Sequence, residues 1–294
     1  MLRKYYSKAA SVASVLRQQN LRLGDRAYRV RPFLLNRIAL QRRDYEPWLD
    51  PAYRAALSSK RGLFVDIGAN IGQTMLKVLS FDRERHYLGF EPQVACCSVI
   101  QAFFDDNRLN SHSILPLGLS NRNGVVKLYR RDGADSSASM VASFRPASFY
   151  TSHAYICVRR GDELMAELEV PTIATVNLDV EGGELEVIEG LTATLARDKP
   201  SIIFEVLNNF LAMTGQTLDA ETIAFRMARV AKLEAILRGL GYELYNIRPD
   251  RRLRRIERVS PAANGDMSIT NYIAVHKDDV STFSGAFDGS IEAA

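Results

Sequence analysis

The 294-residue chain has few of the residues that staple or metallate small folds: three cysteines and four histidines. Neither a Cys-x-x-Cys nor a His-x-x-x-His pair occurs, so neither a disulfide scaffold nor a structural zinc site is expected. Cys96 and Cys97 are adjacent in an apolar helical stretch and read as small buried hydrophobes. Long apolar runs are also missing. The best candidate, Met75 to Leu88, is broken by Lys77, Asp82, Arg83, Glu84 and Arg85, so nothing approaches the roughly 18 to 20 residues of a membrane-spanning helix. The start, Met1-Leu2-Arg3-Lys4, lacks the apolar core of a secretion signal. These absences fit a cytoplasmic chain, one able to rest on a membrane surface. What is present, 47% hydrophobic and 24% charged residues, is ordinary for a globular protein.

Charge is unevenly spread. Residues 1–60 carry 13 Lys and Arg against 4 Asp and Glu, while the rest of the chain is net acidic. The basic end fits peripheral contact with an anionic partner, a membrane surface or a glycan. No base-reading motif accompanies it, so nucleic acid is not expected. A second basic run, Arg251, Arg252, Arg254, Arg255 and Arg258, reads as an exposed loop between two strands.

Periodicity divides the chain into three parts. Residues 1–60 read as a helical extension, from the spacing of Val12, Val15 and Leu16 and of Leu34, Leu35 and Ile38. Residues 61–280 alternate strand and helix. Strands are expected at 63–65, 86–90, 113–119, 125–129, 174–178 and 201–204, and helices at 72–81, 93–106, 184–196 and from Asp219 to about Gly239. Residues 242–247 and 271–276 read as a closing antiparallel pair, and 131–154 as a long loop. The small, polar tail 281–294 reads as disordered. Such alternation predicts an α/β fold with a mostly parallel sheet, which binds ligands at the carboxyl ends of its strands. The polar residues there are Asp66, Glu91, Ser120, Asp179 and Glu205.

The first strand runs into Asp66-Ile67-Gly68-Ala69-Asn70-Ile71-Gly72. Gly68 and Gly72 allow a sharp turn close to a ligand, Asn70 tolerates unusual dihedrals, and Glu91 lies where an acid would bond ribose hydroxyls. A dinucleotide and S-adenosylmethionine both fit this layout. A diphosphate would lie near the Asp66 carboxylate and be repelled, whereas a sulfonium and an ammonium would be attracted to Asp66 and Asp179. The methyl donor is therefore the expected cofactor, with a nicotinamide oxidoreductase or a non-catalytic nucleoside-binding module as alternatives.

A second acidic cluster, Asp179-Val180-Glu181-Gly182-Gly183-Glu184, follows the 174–178 strand. Methyl transfer to oxygen needs an aligned acceptor and a group that takes its proton. Asp179 and Glu181 are the candidates for that work. Glu184 reads as a helix-start cap, Glu205 as a pocket wall or a backbone partner, and His153 as a second candidate base.

The segments Phe64-Val65-Asp66-Ile67-Gly68-Ala69-Asn70-Ile71-Gly72, Phe90-Glu91-Pro92, Leu178-Asp179-Val180-Glu181-Gly182-Gly183-Glu184 and Pro200 to Glu205 resemble the FkbM family of S-adenosylmethionine-dependent methyltransferases. The resemblance spans roughly residues 62–247. It implies a class I methyltransferase (Rossmann-like) fold and O-methylation of a sugar or polyketide hydroxyl, in a glycan, glycolipid or secondary metabolite. Asp135-Ser136-Ser137 resembles the family's mid-domain serine motif. One departure stands out: Asn177 occupies the place where the family usually has lysine. No metal site is expected.

Overall fold

The structure is a computed structural model that describes residues 19–23, 25–30, 46–131, 135–142, 144–145, 147–207, 220–259 and 269–293. Along the chain run β1 (Gln19–Leu23), β2 (Arg26–Val30), α1 (Asp50–Ser59), β3 (Leu63–Ile67), α2 (Gln73–Phe81), β4 (Tyr87–Phe90), α3 (Val94–Asn107), β5 (His112–Leu115), β6 (Gly118–Ser120) and β7 (Gly124–Arg130). There follow β8 (Ser152–Arg160), α4 (Gly161–Glu167), β9 (Ile173–Leu178), α5 (Glu184–Gly190), α6 (Thr192–Asp198), β10 (Ser201–Glu205), α7 (Ala220–Gly239), β11 (Tyr242–Ile247), β12 (Leu253–Arg255), β13 (Asn271–His276), α8 (Val280–Ala286) and β14 (Ile291–Glu292).

Among the described residues the main sheet has the order β14-β12-β11-β13-β10-β9-β3-β4-β5. Its centre, from β5 through β4, β3 and β9 to β10, is parallel. β13 inserts antiparallel between β10 and β11, as expected of the closing pair. The central strands are buried on both faces, which is why they read in sequence as mainly apolar runs, interrupted by Asp66, Thr175 and Asn177. One face packs on α1, α2, α3 and α8 through Ala52, Met75, Ile100 and Phe283. The other packs on α4 to α7 through Leu164, Leu185, Leu195 and Leu233. The carboxyl ends of β3, β4, β9 and β10 therefore share one rim.

Five sequence expectations are corrected here. The strand assigned to 113–119 is two, β5 and β6, which lie in different sheets. Within 1–60, residues 19–30 form an antiparallel hairpin rather than helix. Alternate residues Leu21, Leu23, Tyr28 and Val30 are buried, the period of a one-sided strand. The helical readings at Val12, Val15, Leu16, Leu34, Leu35 and Ile38 lie outside the described residues. The tail carries α8 and β14 instead of being wholly disordered, and Phe283 is fully buried, a contribution of about 1.5–3 kcal/mol. The loop assigned to 131–154 ends early, because β8 begins at Ser152 and pairs with β6 and β7 in a second, three-stranded sheet. Finally, the helix assigned to 184–196 is two helices. A Cβ on Gly190 would sit 2.0 Å from the Ser120 carbonyl oxygen, so strand β6 crowds the chain where α5 stops.

Candidate active site

The rim of the parallel sheet opens into a cleft lined in part by Ile67, which ends β3, and by Gly68 and Asn70 of the loop after it. Gly68 has φ +88°, and a Cβ there would lie 1.8 Å from the Asp179 carbonyl oxygen. The Asp179 N–H in turn donates to the Ile67 carbonyl at 3.0 Å. Gly68 lines the cleft, but the missing side chain is demanded by close contact between the two loops. Asn70, at φ +46°, turns its backbone N–H onto Glu91 Oε2 at 2.9 Å. Gly72 starts α2 at φ +93° against Met75 and Ile100, away from the cleft.

Glu91 follows β4 and is buried, with its second oxygen accepting the Gln93 N–H at 2.8 Å. Burial lifts its carboxyl to about 7 despite these two bonds. The charged side chains lining the cleft are Glu91, Asp135, Asp179 and Glu181; among the described residues no Lys, Arg or His lines it. Ile67, Phe90, Leu119, Leu128 and Met140 supply apolar wall.

Asp135, Ser136, Ala138 and Met140 form the roof of the cleft, and residues 135–142 and 144–145 are tied down at several points. Gln93 and Asp135 exchange two bonds: Gln93 Nε2 donates to the Asp135 carbonyl at 2.9 Å, and the Asp135 N–H donates to Gln93 Oε1 at 3.0 Å. Burial by itself would raise the Asp135 carboxyl, yet bonds from Ser137 and Arg131 outweigh it and hold it at about 2. The Ser139 hydroxyl donates to the Glu181 carbonyl at 2.7 Å, and Arg145 pairs with the Glu181 carboxylate at 2.6 Å. The Phe144 ring fills the place of a side chain on Gly182, and Arg226 of α7 donates to the Phe144 carbonyl. Glu181 itself sits at φ +55°, strained backbone held by this packing.

The structure brings Glu91, Gly68, Asn70, Asp179 and Glu181 together around the cleft and places the other sequence candidates elsewhere. Asp66 is fully buried beneath the cleft, not on its wall. It accepts from the Tyr87 hydroxyl at 2.6 Å and from Asn177 Nδ2 at 2.8 Å, and burial lifts it to about 6. The charge argument made from Asp66 therefore passes to the four acids that do line the cleft. Ser120 is buried at the end of β6 and faces a neighbouring groove with Asn121. His153 lies on β8, edge-on to Tyr155 and away from the cleft. Glu184 caps the 180–182 loop by accepting the N–H groups of Val180 and Gly182. Glu205 accepts the Thr270 hydroxyl at 2.6 Å.

Sequence reasoning missed Gln93, Arg145 and Tyr53. The Tyr53 hydroxyl, on α1, donates to Asn177 Oδ1 at 2.6 Å, so the departure at 177 links α1 to Asp66 through one buried amide. Arg145, in an aperiodic Ser-rich stretch, gave no sequence signal.

The Methyltransferase FkbM domain pattern matches residues 66–244. The chain belongs to the FkbM methyltransferase family. Among solved structures it is similar to a methyltransferase FkbM from Methylobacillus flagellatus KT, with 15% identity, TM-score 0.44 and coverage of 72% of this chain and 43% of that one. A putative caffeoyl-CoA O-methyltransferase from Staphylococcus aureus shares 9% identity with TM-score 0.45, covering 78% and 82%. Fibrillarin from Aeropyrum pernix, in complex with S-adenosyl-L-methionine, shares 12% with TM-score 0.40, covering 89% and 84%. The chain thus spans less than half the length of the Methylobacillus protein. Comparison with curated proteins returns no match.

This FkbM-family chain has the expected class I α/β fold with S-adenosylmethionine as its cofactor, and the dinucleotide alternative lapses. The cleft suits that group: a cationic donor meets four carboxylates and no competing cation from the described residues. Deeper in, Asp179 and Glu181 form a coupled pair. Burial raises both carboxyls above the ordinary range, the Asp179 charge adds to the rise at Glu181, and Arg145 opposes the rise at both.

Proposed function

We propose that this FkbM-family protein transfers the methyl group of S-adenosylmethionine to a hydroxyl of a sugar, in a glycan, a glycolipid or a secondary metabolite. The observation that supports this reading most is the Asp179–Glu181 pair, which borders the same cleft as Glu91 and shares a raised proton affinity. When bound, the donor supplies an electrophilic methyl on a sulfonium. Glu91 would accept the ribose hydroxyls, with Gly68 and Asn70 lining the same cleft.

An acceptor hydroxyl is far too weak an acid to ionise at neutral pH, and it sheds its proton only as the new bond forms. A carboxylate with proton affinity raised toward neutrality is matched to take that proton at the moment of reaction. Asp179 is the base in this reading; Arg145, held by its ion pair with Glu181, lends a positive charge that limits the rise in the Asp179 carboxyl. Carboxylates facing the acceptor also avoid over-stabilising the donor sulfonium. The basic residues of 1–60 would bring the chain to an anionic glycan or membrane surface, an attraction that added salt should weaken.

The test combines binding with turnover. Adenosylhomocysteine should raise the melting temperature of the full chain and NADH should not. Labelled methyl should pass from the donor to surface-glycan extracts of a strain lacking the gene, and Asp179→Asn should abolish transfer while keeping the thermal shift. Stabilisation by NADH alone would overturn the reading. Stabilisation by adenosylhomocysteine with no label transferred to any extract would favour a non-catalytic nucleoside-binding module.

A further inference from the structure

The second basic run is only partly a loop: Arg251 and Arg252 lie in the exposed turn between β11 and β12. Leu253–Arg255 is strand β12, paired antiparallel with β11, and the Ile256 N–H after it donates to the Leu244 carbonyl at 3.0 Å. An open groove here is lined by Arg248, Arg254, Arg255 and Arg258, with Asn246 and Tyr272.

The frame of this groove is rigid. Buried Asn246 donates through Nδ2 to the carbonyls of Ile269 and Asn271, at 2.9 and 3.0 Å, and accepts from Arg248 at 3.2 Å. Arg238 of α7 donates to the carbonyls of Ile256 and Glu257, and Glu234 accepts the Val259 N–H at 3.0 Å. Arg255 is paired with Glu243 at 3.2 Å. Arg254 and Arg258 make no ion pair with a described residue, and both are exposed. Glu257 is the only acid among the described lining residues, against four arginines.

Position gives this charge its meaning. β11 and β10 both run antiparallel to β13, so their carboxyl ends reach the rim that carries the cleft. The registers align Asn246 with Tyr272, Tyr272 with Phe204, Phe204 with Leu178 and Leu178 with Ile67. Leu178, next to Asp179, is thus two strand spacings from Tyr272 and three from Asn246, about 10 and 14 Å. Tyr272 and Phe204 belong to the same apolar layer as Ile67 and Phe90 of the cleft, so groove and cleft open on one face of the sheet. The cleft is acidic and the groove basic. An acceptor that lies along the rim would meet carboxylates at one end and guanidinium groups at the other.

We propose that this groove is a subsite for a phosphate or diphosphate group on the methyl acceptor. Guanidinium forks bind phosphate oxygens in pairs, and several converging on one groove suit a group of two or more negative charges better than a lone carboxylate. The proposal rests on the reading that the acceptor occupies this rim. It narrows that acceptor to a sugar phosphate or a lipid-diphosphate-linked sugar, with the reacting hydroxyl remote from the anionic group.

The experiment uses the full chain and the double variant Arg254→Gln/Arg258→Gln, both changes on exposed side chains. Inorganic pyrophosphate is titrated calorimetrically into each at low salt. Each lost charge-assisted contact should weaken binding about tenfold, so the double variant should bind about a hundredfold less tightly. Two further arms separate the sources: a soluble hexose 1-phosphate, and neutral phosphatidylcholine vesicles carrying a polyprenyl diphosphate. Arginine-dependent binding in either arm supports the subsite and names its source. Equal pyrophosphate binding by both proteins, or none by the wild type, overturns it, as does a random single-stranded oligonucleotide that displaces pyrophosphate and binds far more tightly. Adenosylhomocysteine thermal shifts are recorded alongside. If those are absent while the arginine-dependent binding holds, the methyl-transfer reading fails and the anion subsite stands; the reverse pattern has the opposite meaning.

Discussion

Changing Glu91 to glutamine separates what this acid costs the fold from what it does for the cofactor. The carboxyl is buried, 4% exposed, and burial lifts it from 4.5 to about 7. A folded-state value above the unfolded one means that the native chain binds the proton more tightly. Native stability from this group is therefore greatest below about pH 4.5, falls as pH rises through the window, and is fully lost above about 7. The displacement corresponds to about 3 kcal/mol. Glu91→Gln does not titrate there. Its amide offers one oxygen, so one of the two N–H bonds from Asn70 and Gln93 is lost, a pH-independent cost of about 1–3 kcal/mol.

The variant should then be the less stable protein at pH 4.5, and equal or superior at pH 8. The gap between the two should move by about 3 kcal/mol across that range, whatever the lost bond is worth. Urea unfolding followed through the single tryptophan, Trp48, reads this directly. Adenosylhomocysteine affinity should fall at least tenfold at every pH. A stability gap that stays constant from pH 4.5 to 8 would refute the claim that burial suppresses ionisation at the end of β4.

Arg145→Ala removes a cation that lowers both Asp179 and Glu181, so the acid limb of the pH–rate profile should move to higher pH. Unpairing a nearly buried ion pair should also cost about 3–5 kcal/mol in a urea melt. Gly182→Ala would put a Cβ 2.1 Å from the Phe144 ring at φ +99°, which should lift the roof from the acidic loop. Limited proteolysis should then cut within 135–145 much faster than in the wild type, with about 2–4 kcal/mol lost from combined strain and overpacking.

The central sheet was legible because parallel strands buried on both sides leave mainly apolar runs, with the few polar residues, Asp66, Thr175 and Asn177, buried too. Leu63 to Ile67 and Ile173 to Leu178 are of this kind, and every residue in them is buried. Strand β8 escaped because it is mostly exposed, so Ser152-His153-Ala154 carries no apolar run, and its partner β7 is largely exposed too. The hairpin at 19–30 was hidden by arginines on its outer positions. At the site, sequence placed carboxylates correctly at strand ends but could not say which way each turned. Asp66 lies within β3 opposite Gly89, whereas Glu91 follows β4, two residues nearer the rim. One turns inward to Tyr87 and Asn177, the other toward the cleft, and that choice depends on a tyrosine one strand away and an amide 111 residues later. Gly68 had a second reason to be glycine, since the carbonyl that excludes its side chain belongs to Asp179.

The strand that joins the two wings of the main sheet, β13, lies wholly beyond residue 244, where the family likeness ends. Every backbone bond between β10 and β11 is relayed through it. During synthesis, β11 can pair only with β12 until β13 has emerged, and until then nothing joins that pair to β10. The recognisable homology and the smallest piece able to fold are therefore different stretches of chain, and a fragment trimmed to the first would expose two raw sheet edges in place of a closed wing.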